Sequence, residues 1–191
     1  SADRIFTLLE DNGDLEEPEA PGYEGIMRGK IEFRDVWFAY ENEDWVLRGL
    51  SFSCAPGEKI AFVGATGAGK TTIISLLSHF YVPQKGQILI DDVPLDDWKL
   101  SALRSQIGVV LQDVFLFVGT VSDNIRIHAD ISQDQVKRAA QLAHADGFIA
   151  TLPGGIHHEV AERGATFSTG ERQLISFARA IAHDPRVLVL D

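Results

Sequence analysis

The apolar and polar positions of Ile31–Phe38 and Val46–Phe52 both read as sheet and predict a pair of strands joined by a turn rich in Glu, Asn and Asp. A short apolar run, Glu58–Val63, predicts a third strand, and the apolar spacing of Thr72–His79 predicts a helix directly after a glycine-rich loop. Further on, Gly86–Ile90 and Ile107–Leu111 read as strands, the second of them buried, with a short helix over Trp98–Ser105 between them. Ser122–His144 is polar and helical in character. Within it Ser132 and Gln135 form a capping box that opens a helix to about His144. Ser168 and Glu171 open another, which runs to His183 and stops at Asp184-Pro185. Arg186–Leu190 is then a buried strand ending in Asp191. Upstream of all this, Ser1–Glu10 carries Ile5, Phe6, Leu8 and Leu9 on a short amphipathic helix, and Asp11–Gly29, with two prolines and an acidic run, reads as a linker.

Strands on both sides of a helix-rich stretch predict an α/β core with a helical lobe. A length of 191 residues, 45% hydrophobic and 24% charged, is that of one globular domain with a real core. The net charge of −11 argues against nucleic acid as the main partner, because that needs a basic face. No apolar stretch reaches the length of a membrane span, and no signal peptide is visible. Cys54 falls in a strand pattern and reads as a packing residue. The histidines show no metal-ligand spacing, and the acids at Asp91-Asp92 and Asp96-Asp97 read as turn residues.

The chemistry concentrates between the third strand and the helix that follows it. Gly64, Ala65, Thr66, Gly67, Ala68, Gly69, Lys70 and Thr71 fit G-x-x-x-x-G-K-[ST] at every fixed position. Glycines let the backbone curl with its N–H groups inward, and the helix N-terminus adds a dipole that favours an anion. Lys70 can reach the β- and γ-phosphates of ATP, and the Thr71 hydroxyl can ligate Mg²⁺, with Thr72 beside it in the nucleotide-binding set. Asp191, at the tip of an apolar strand, stands where open α/β sheets place ligand chemistry. Beside a phosphate loop it reads as the aspartate that holds Mg²⁺; taken alone it also fits a turn aspartate.

Together these residues resemble the nucleotide-binding domain of ATP-binding cassette (ABC) transporters of the exporter type, from about Ile31 to Asp191. The most specific element is Phe167-Ser-Thr-Gly-Glu-Arg-Gln173, which looks like the family signature Leu-Ser-Gly-Gly-Gln-Arg-Gln. The resemblance implies that Ser168, Gly170 and Glu171 meet the γ-phosphate of ATP held by an opposing subunit. Phe167, Thr169 and Glu171 depart from the pattern, and Glu171 puts a negative charge near a phosphate, as in a degenerate composite site. Tyr40 matches the aromatic that stacks on adenine, although a strand-end core aromatic fits the same position. Gln112 matches the glutamine that reaches Mg²⁺ and the attacking water, which makes Gln112 and Lys70 the catalytic candidates and Thr71, Gln112 and Asp191 the metal set. Phe115–Ile125 and Glu159–Gly164 resemble exporter-specific segments that meet the coupling helices of a transmembrane domain.

The implied fold is a P-loop NTPase (RecA-like) core with an N-terminal antiparallel β subdomain and a helical signature subdomain. Residues 1–30 would link to an upstream transmembrane domain. Residues 31–191 would form the nucleotide-binding domain, with its core at 31–117 and 184–191 and its helical subdomain at about 118–183. The implied cofactors are ATP and Mg²⁺, and the implied partner is a second nucleotide-binding domain, identical or not, on the cytoplasmic side of the inner membrane. The family places a catalytic glutamate directly after the position of Asp191 and a further sheet strand beyond it. The expectation for the 191-residue chain is therefore a fragment that binds ATP without useful turnover. Two other readings stay open: an ATP-binding regulatory half with little hydrolysis, and a soluble ABC ATPase of DNA maintenance.

Overall fold

The computed structural model describes residues 22–42, 44–65, 67–127, 131–161, 164 and 166–191. The amphipathic helix expected at Ser1–Glu10 and most of the linker lie outside the described residues. Two compact units are present, Ser1–Arg104 and Ser105–Asp191.

The first unit is built on a four-stranded sheet in the order β2-β1-β3-β4, from β1 (Ile31–Ala39), β2 (Trp45–Cys54), β3 (Lys85–Ile90) and β4 (Val93–Pro94). All its pairings are antiparallel, with Phe33 opposite Phe52 on one side and Ile88 on the other. Ile31 and Phe33 point into the core, and then Val36 and Phe38 do. The parity changes because the register slips between Phe33 and Val36, where Asp35 takes φ 48°. An extra residue there forms a bulge that turns the following side chains over. Helix α1 (Lys70–Leu77) and the short α2 (Leu100–Ser105) bury Leu76 and Leu103 fully, and Trp98 is buried with them. Tyr23 packs edge-on against Trp98 at 4.7 Å, and its backbone bonds to Asp97 and Lys99. The end of the expected linker is thereby tied to this unit.

One predicted strand is not a strand. Residues 58–63 are irregular, and Val63 is 93% exposed. Its apolar run meets the side-chain preference of a strand, but a strand also needs a backbone partner. Among the described residues, 58–63 has no ladder partner.

The second unit pairs β5 (Ile107–Val110) in parallel with β8 (Val187–Leu190), and β6 (Gly119–Thr120) antiparallel with β7 (Glu159–Val160). Its helices are α3 (Val121–Arg126), α4 (Gln133–Leu142), α5 (Asp146–Ile149) and α6 (Thr169–Ala182). They enclose one apolar cluster that includes Leu116, Val121, Ile125, Val136, Ile149, Phe167 and Ile175. Both expected capping boxes form, Ser132 with Gln135 and Ser168 with Glu171, each with side-chain and backbone bonds in both directions. A third, Thr120 with Asp123, opens α3. The expected burial of β8 is not found, since Leu188 and Leu190 stand about half exposed. With β5 as its one partner among the described residues, β8 has alternate side chains facing outward.

Candidate functional site

The glycine loop leads into α1 through Gly69, which is the helix N-cap in the left-handed region at φ 84°. A Cβ on Gly69 would stand 2.9 Å from Leu47 Cδ2, so the site needs glycine for both its torsion and its space. No side chain caps α1, and its first turn carries no acid. Lys70 folds back over the loop, and its Nζ donates to the carbonyls of Gly64 at 2.9 Å and Ala65 at 2.8 Å. A cation above an uncapped helix N-terminus fits a phosphate group by charge and by donor chemistry. Gly67 is also left-handed, and Ala68 donates back to the Ala65 carbonyl. Thr66 lies outside the described residues.

Tyr40 follows β1 and is half exposed. Its phenol lies 3.1 Å from the Thr72 hydroxyl, within hydrogen-bonding distance. Its ring meets Phe38 at 4.9 Å and Tyr81 at 5.2 Å, both edge-on. The structure therefore groups Tyr40, Thr72 and the glycine loop within the first unit, with Thr71 beside Thr72 on α1.

Gln112 and Asp191 belong to the second unit, where they leave the same edge of the β5–β8 pair. Val110 stands opposite Leu190, and the Asp191 N–H donates to the Val110 carbonyl at 2.9 Å. Both side chains are exposed. Two polar groups at the C-terminal edge of adjacent parallel strands suit the chemistry of a bound cation.

The signature segment begins α6. Phe167 is 5% exposed and packs in the apolar cluster near Phe148 and His158, so the departure from leucine is absorbed by the core. Ser168 Oγ accepts from the Glu171 N–H, while the Ser168 N–H and hydroxyl both donate to Glu171 Oε2 at 2.8 Å. These bonds, that from the backbone N–H first, hold the Glu171 carboxyl below its usual pKa. The single proton of the Ser168 hydroxyl is committed to the Glu171 carboxylate.

The ABC transporter family matches residues 47–191, a span that contains the loop, the signature segment and Asp191. The chain belongs to the ABC transporter family. It is 47% identical over 190 residues to an ATP-dependent lipid A-core flippase of Pseudoalteromonas atlantica, covering 98% of this chain and 32% of the flippase. A fatty acid ABC transporter ATP-binding/permease protein of Mycobacterium bovis is 43% identical over 192 residues, covering all of this chain and 30% of that protein. Among solved structures, an ATP-bound bacterial exporter of the ABC family's Atm1 group matches at TM-score 0.91 and 38% identity, over 100% of this chain and 33% of the exporter chain. This ABC chain therefore spans about a third of the length of these relatives, and it has their ATPase fold. No helix among its described residues is long and apolar enough to cross a membrane.

Within this ABC domain the two exporter-type segments meet as β6 and β7, with Gly119 opposite Val160 and Thr120 opposite Glu159. Gly164 closes the second segment at φ 63°, where a Cβ would come within 2.8 Å of Leu116 Cδ1. Glu162 and Arg163 lie outside the described residues. Two residues of the region went unread in the sequence. Asn124 is 1% exposed and bonds the backbone of Phe117, and Arg179 donates to the carbonyls of Phe115 and Asn124. A signal for Arg179 was present, because a cation four residues after buried Ile175 falls on the apolar stripe of α6.

Proposed function

We propose that this chain is the ATP-binding motor domain of an ABC exporter. The observation that carries the reading is the Gly64–Thr71 loop, with Lys70 folded over an uncapped α1 and Tyr40 tethered beside it. In this reading the loop amides and Lys70 hold the β- and γ-phosphates, and Tyr40 stacks on the base. Thr71, Gln112 and Asp191 are the residues that would hold Mg²⁺, which would supply charge neutralisation at the phosphates, and Gln112 would orient water there. Ser168 and Gly170 face the γ-phosphate of a nucleotide bound by a second such domain, so that one ATP is clasped by two chains. The domain works on the cytoplasmic side of a membrane, where Phe115–Ile125 and Glu159–Gly164 dock on the transmembrane part of the exporter. The relatives' names include a lipid A-core flippase and a fatty acid transporter, which supports export as the process and leaves the cargo to the membrane-spanning part.

The deciding experiment measures ATP hydrolysis and ATP-driven uptake into inverted membrane vesicles by the full-length transporter, with and without Lys70→Ala. Loss of both in the variant supports the reading. Undiminished ATP turnover in Lys70→Ala would refute it.

A second reading is favoured by one observation. The Ser168 hydroxyl donates its hydrogen bond to Glu171, which would turn its lone pairs and a carboxylate toward a γ-phosphate. This composite site would then serve mainly to hold ATP, as the regulatory half of a heterodimer. The Glu171→Gln variant of the full-length transporter distinguishes the two: a clear rise in ATPase activity favours the regulatory half, and an unchanged rate favours a competent site.

A further inference from the structure

Arg179 carries its charge into the second unit, where no acid among the described residues meets it. It lies on α6 about three turns, or about 17 Å, beyond Ser168. Its Nε donates to the Asn124 carbonyl at 2.9 Å, its Nη1 to the Phe115 carbonyl at 3.0 Å, and its Nη2 to Asn124 Oδ1 at 3.2 Å. The guanidinium also lies over the Phe117 ring, 5.7 Å from the centroid. Burial pushes its pKa below the usual arginine value, and among the described residues no acid pairs with it to reverse that. Placing a cation among carbonyls without a carboxylate is costly, so the core is not improved by its presence. Its bonds hold something in place instead.

Asn124 completes the hold. Its Nδ2 donates to the carbonyls of Phe117 at 2.8 Å and Thr120 at 3.1 Å, and its Oδ1 accepts from the Phe117 N–H at 2.8 Å. The backbone from Phe115 to Thr120 therefore hangs from two side chains, Asn124 on α3 and Arg179 on α6. Three side chains of that segment face outward, Phe115 50%, Phe117 52% and Val118 75% exposed, while Leu116 between them is buried in the apolar cluster. One helix thus carries the Ser168 cap at its start and bonds the partly exposed Phe115–Thr120 segment toward its end.

We propose that Arg179 is a positioning residue that ties the Phe115–Val118 surface to the signature helix, so that a shift of α6 at Ser168 is carried to that surface. The proposal rests on the reading of Ser168 as the nucleotide-facing end of α6. The physical reason is the shape of the group. A planar guanidinium bonds two carbonyls and a side-chain amide while lying over the Phe117 ring, and a lysine ammonium keeps the charge but cannot span those acceptors.

The test is hydrogen–deuterium exchange on the full-length transporter, with and without Mg²⁺ and a non-hydrolysable ATP analogue, comparing wild type with Arg179→Lys and Arg179→Gln. In the wild type the analogue protects residues 64–72 and slows exchange across 115–120. In the variants protection at 64–72 persists, while the nucleotide response of 115–120 falls by roughly fivefold or more. A full response at 115–120 in both variants overturns the proposal. So does a general loss of protection across α3, α4 and α6, which would mark Arg179 as a plain core residue. Absence of protection at 64–72 in the wild type is a separate outcome. It would defeat the nucleotide reading itself, and this inference with it.

Discussion

The Tyr40 phenol and the Thr72 hydroxyl lie 3.1 Å apart, so the aromatic proposed to meet the base is tethered to the helix proposed to meet the phosphates. Thr72 is 4% exposed and sits two residues after Lys70, so the tether is anchored in packed structure. Ring position and loop position are coupled before any nucleotide arrives, which lowers the ordering cost of binding.

Tyr40 variants separate the two contributions. Tyr40→Ala removes both stacking and tether, and nucleotide affinity of the full-length protein should fall by roughly 5- to 150-fold, matching about 1–3 kcal/mol of stacking. Tyr40→Phe keeps the ring and loses one hydrogen bond, so its loss should be about two- to tenfold. Titration with a fluorescent ATP analogue checks both. Equal affinities for wild type and Tyr40→Ala would remove Tyr40 from the site.

Lys70→Ala deletes a charged donor that bonds two loop carbonyls in this structure. Affinity for ATP should drop at least about tenfold, from a charge-assisted contact of about 1.5–3 kcal/mol. The discrimination between ATP and AMP should narrow, because the lost group serves the outer phosphates. A uniform loss for AMP and ATP in the same titration would contradict that role.

Gly69→Ala places a side chain at φ 84° and within 2.9 Å of Leu47 Cδ2. Strain of roughly 1–3 kcal/mol should distort the loop and the start of α1. Amide exchange over residues 64–72 should speed up in the absence of nucleotide. The β5–β8 pair, in the other unit, should keep its protection.

Glu171 sets an acid dependence at the start of α6. Its folded pKa is depressed by the Ser168 N–H and hydroxyl, so its stabilising effect is complete above the ordinary value of 4.5. That effect is lost as pH falls through the lower, folded value. Protection of the first α6 amides should therefore decline as pH falls below the ordinary value of 4.5 in the wild type and stay flatter in Glu171→Gln. A parallel decline in both proteins would show that another group governs the transition.

Ile175 is fully buried on α6 in the apolar cluster of the second unit. Ile175→Ala should cost about 2–5 kcal/mol, seen as faster opening of α4 and α6 amides. The loop at 64–72 should be unaffected in the same experiment. A cost under about 1 kcal/mol would mean that the cluster collapses around the deleted atoms.

Much of this protein was legible in its sequence because the deciding signals are local. The capping boxes at Ser132 and Ser168 need only residues three apart, and both form as read. The strand pattern of Ile31–Phe38 is read from its own residues, and β1 forms there, with a slip at Asp35 that the pattern does not show. The glycine loop is equally local, since torsion, dipole and lysine come from consecutive residues, and it lies within the 47–191 span of the family match. Glu58–Val63 shows the limit: its residues suit a strand, but pairing belongs to a neighbour that the run itself does not encode. β8 fails the buried expectation for a similar reason, because burial depends on what covers a face.

The sequence alone therefore determined the loop chemistry, the helix starts and the family, all set by short-range torsion, capping and charge. Tertiary structure decided the contacts that join distant positions. It tethered Tyr40 to Thr72, slipped β1 at Asp35, paired β6 with β7, and hung Phe115–Thr120 from Asn124 and Arg179. Such contacts depend on chain segments meeting in space, where burial raises the cost of any unpaired polar group and so selects its partner.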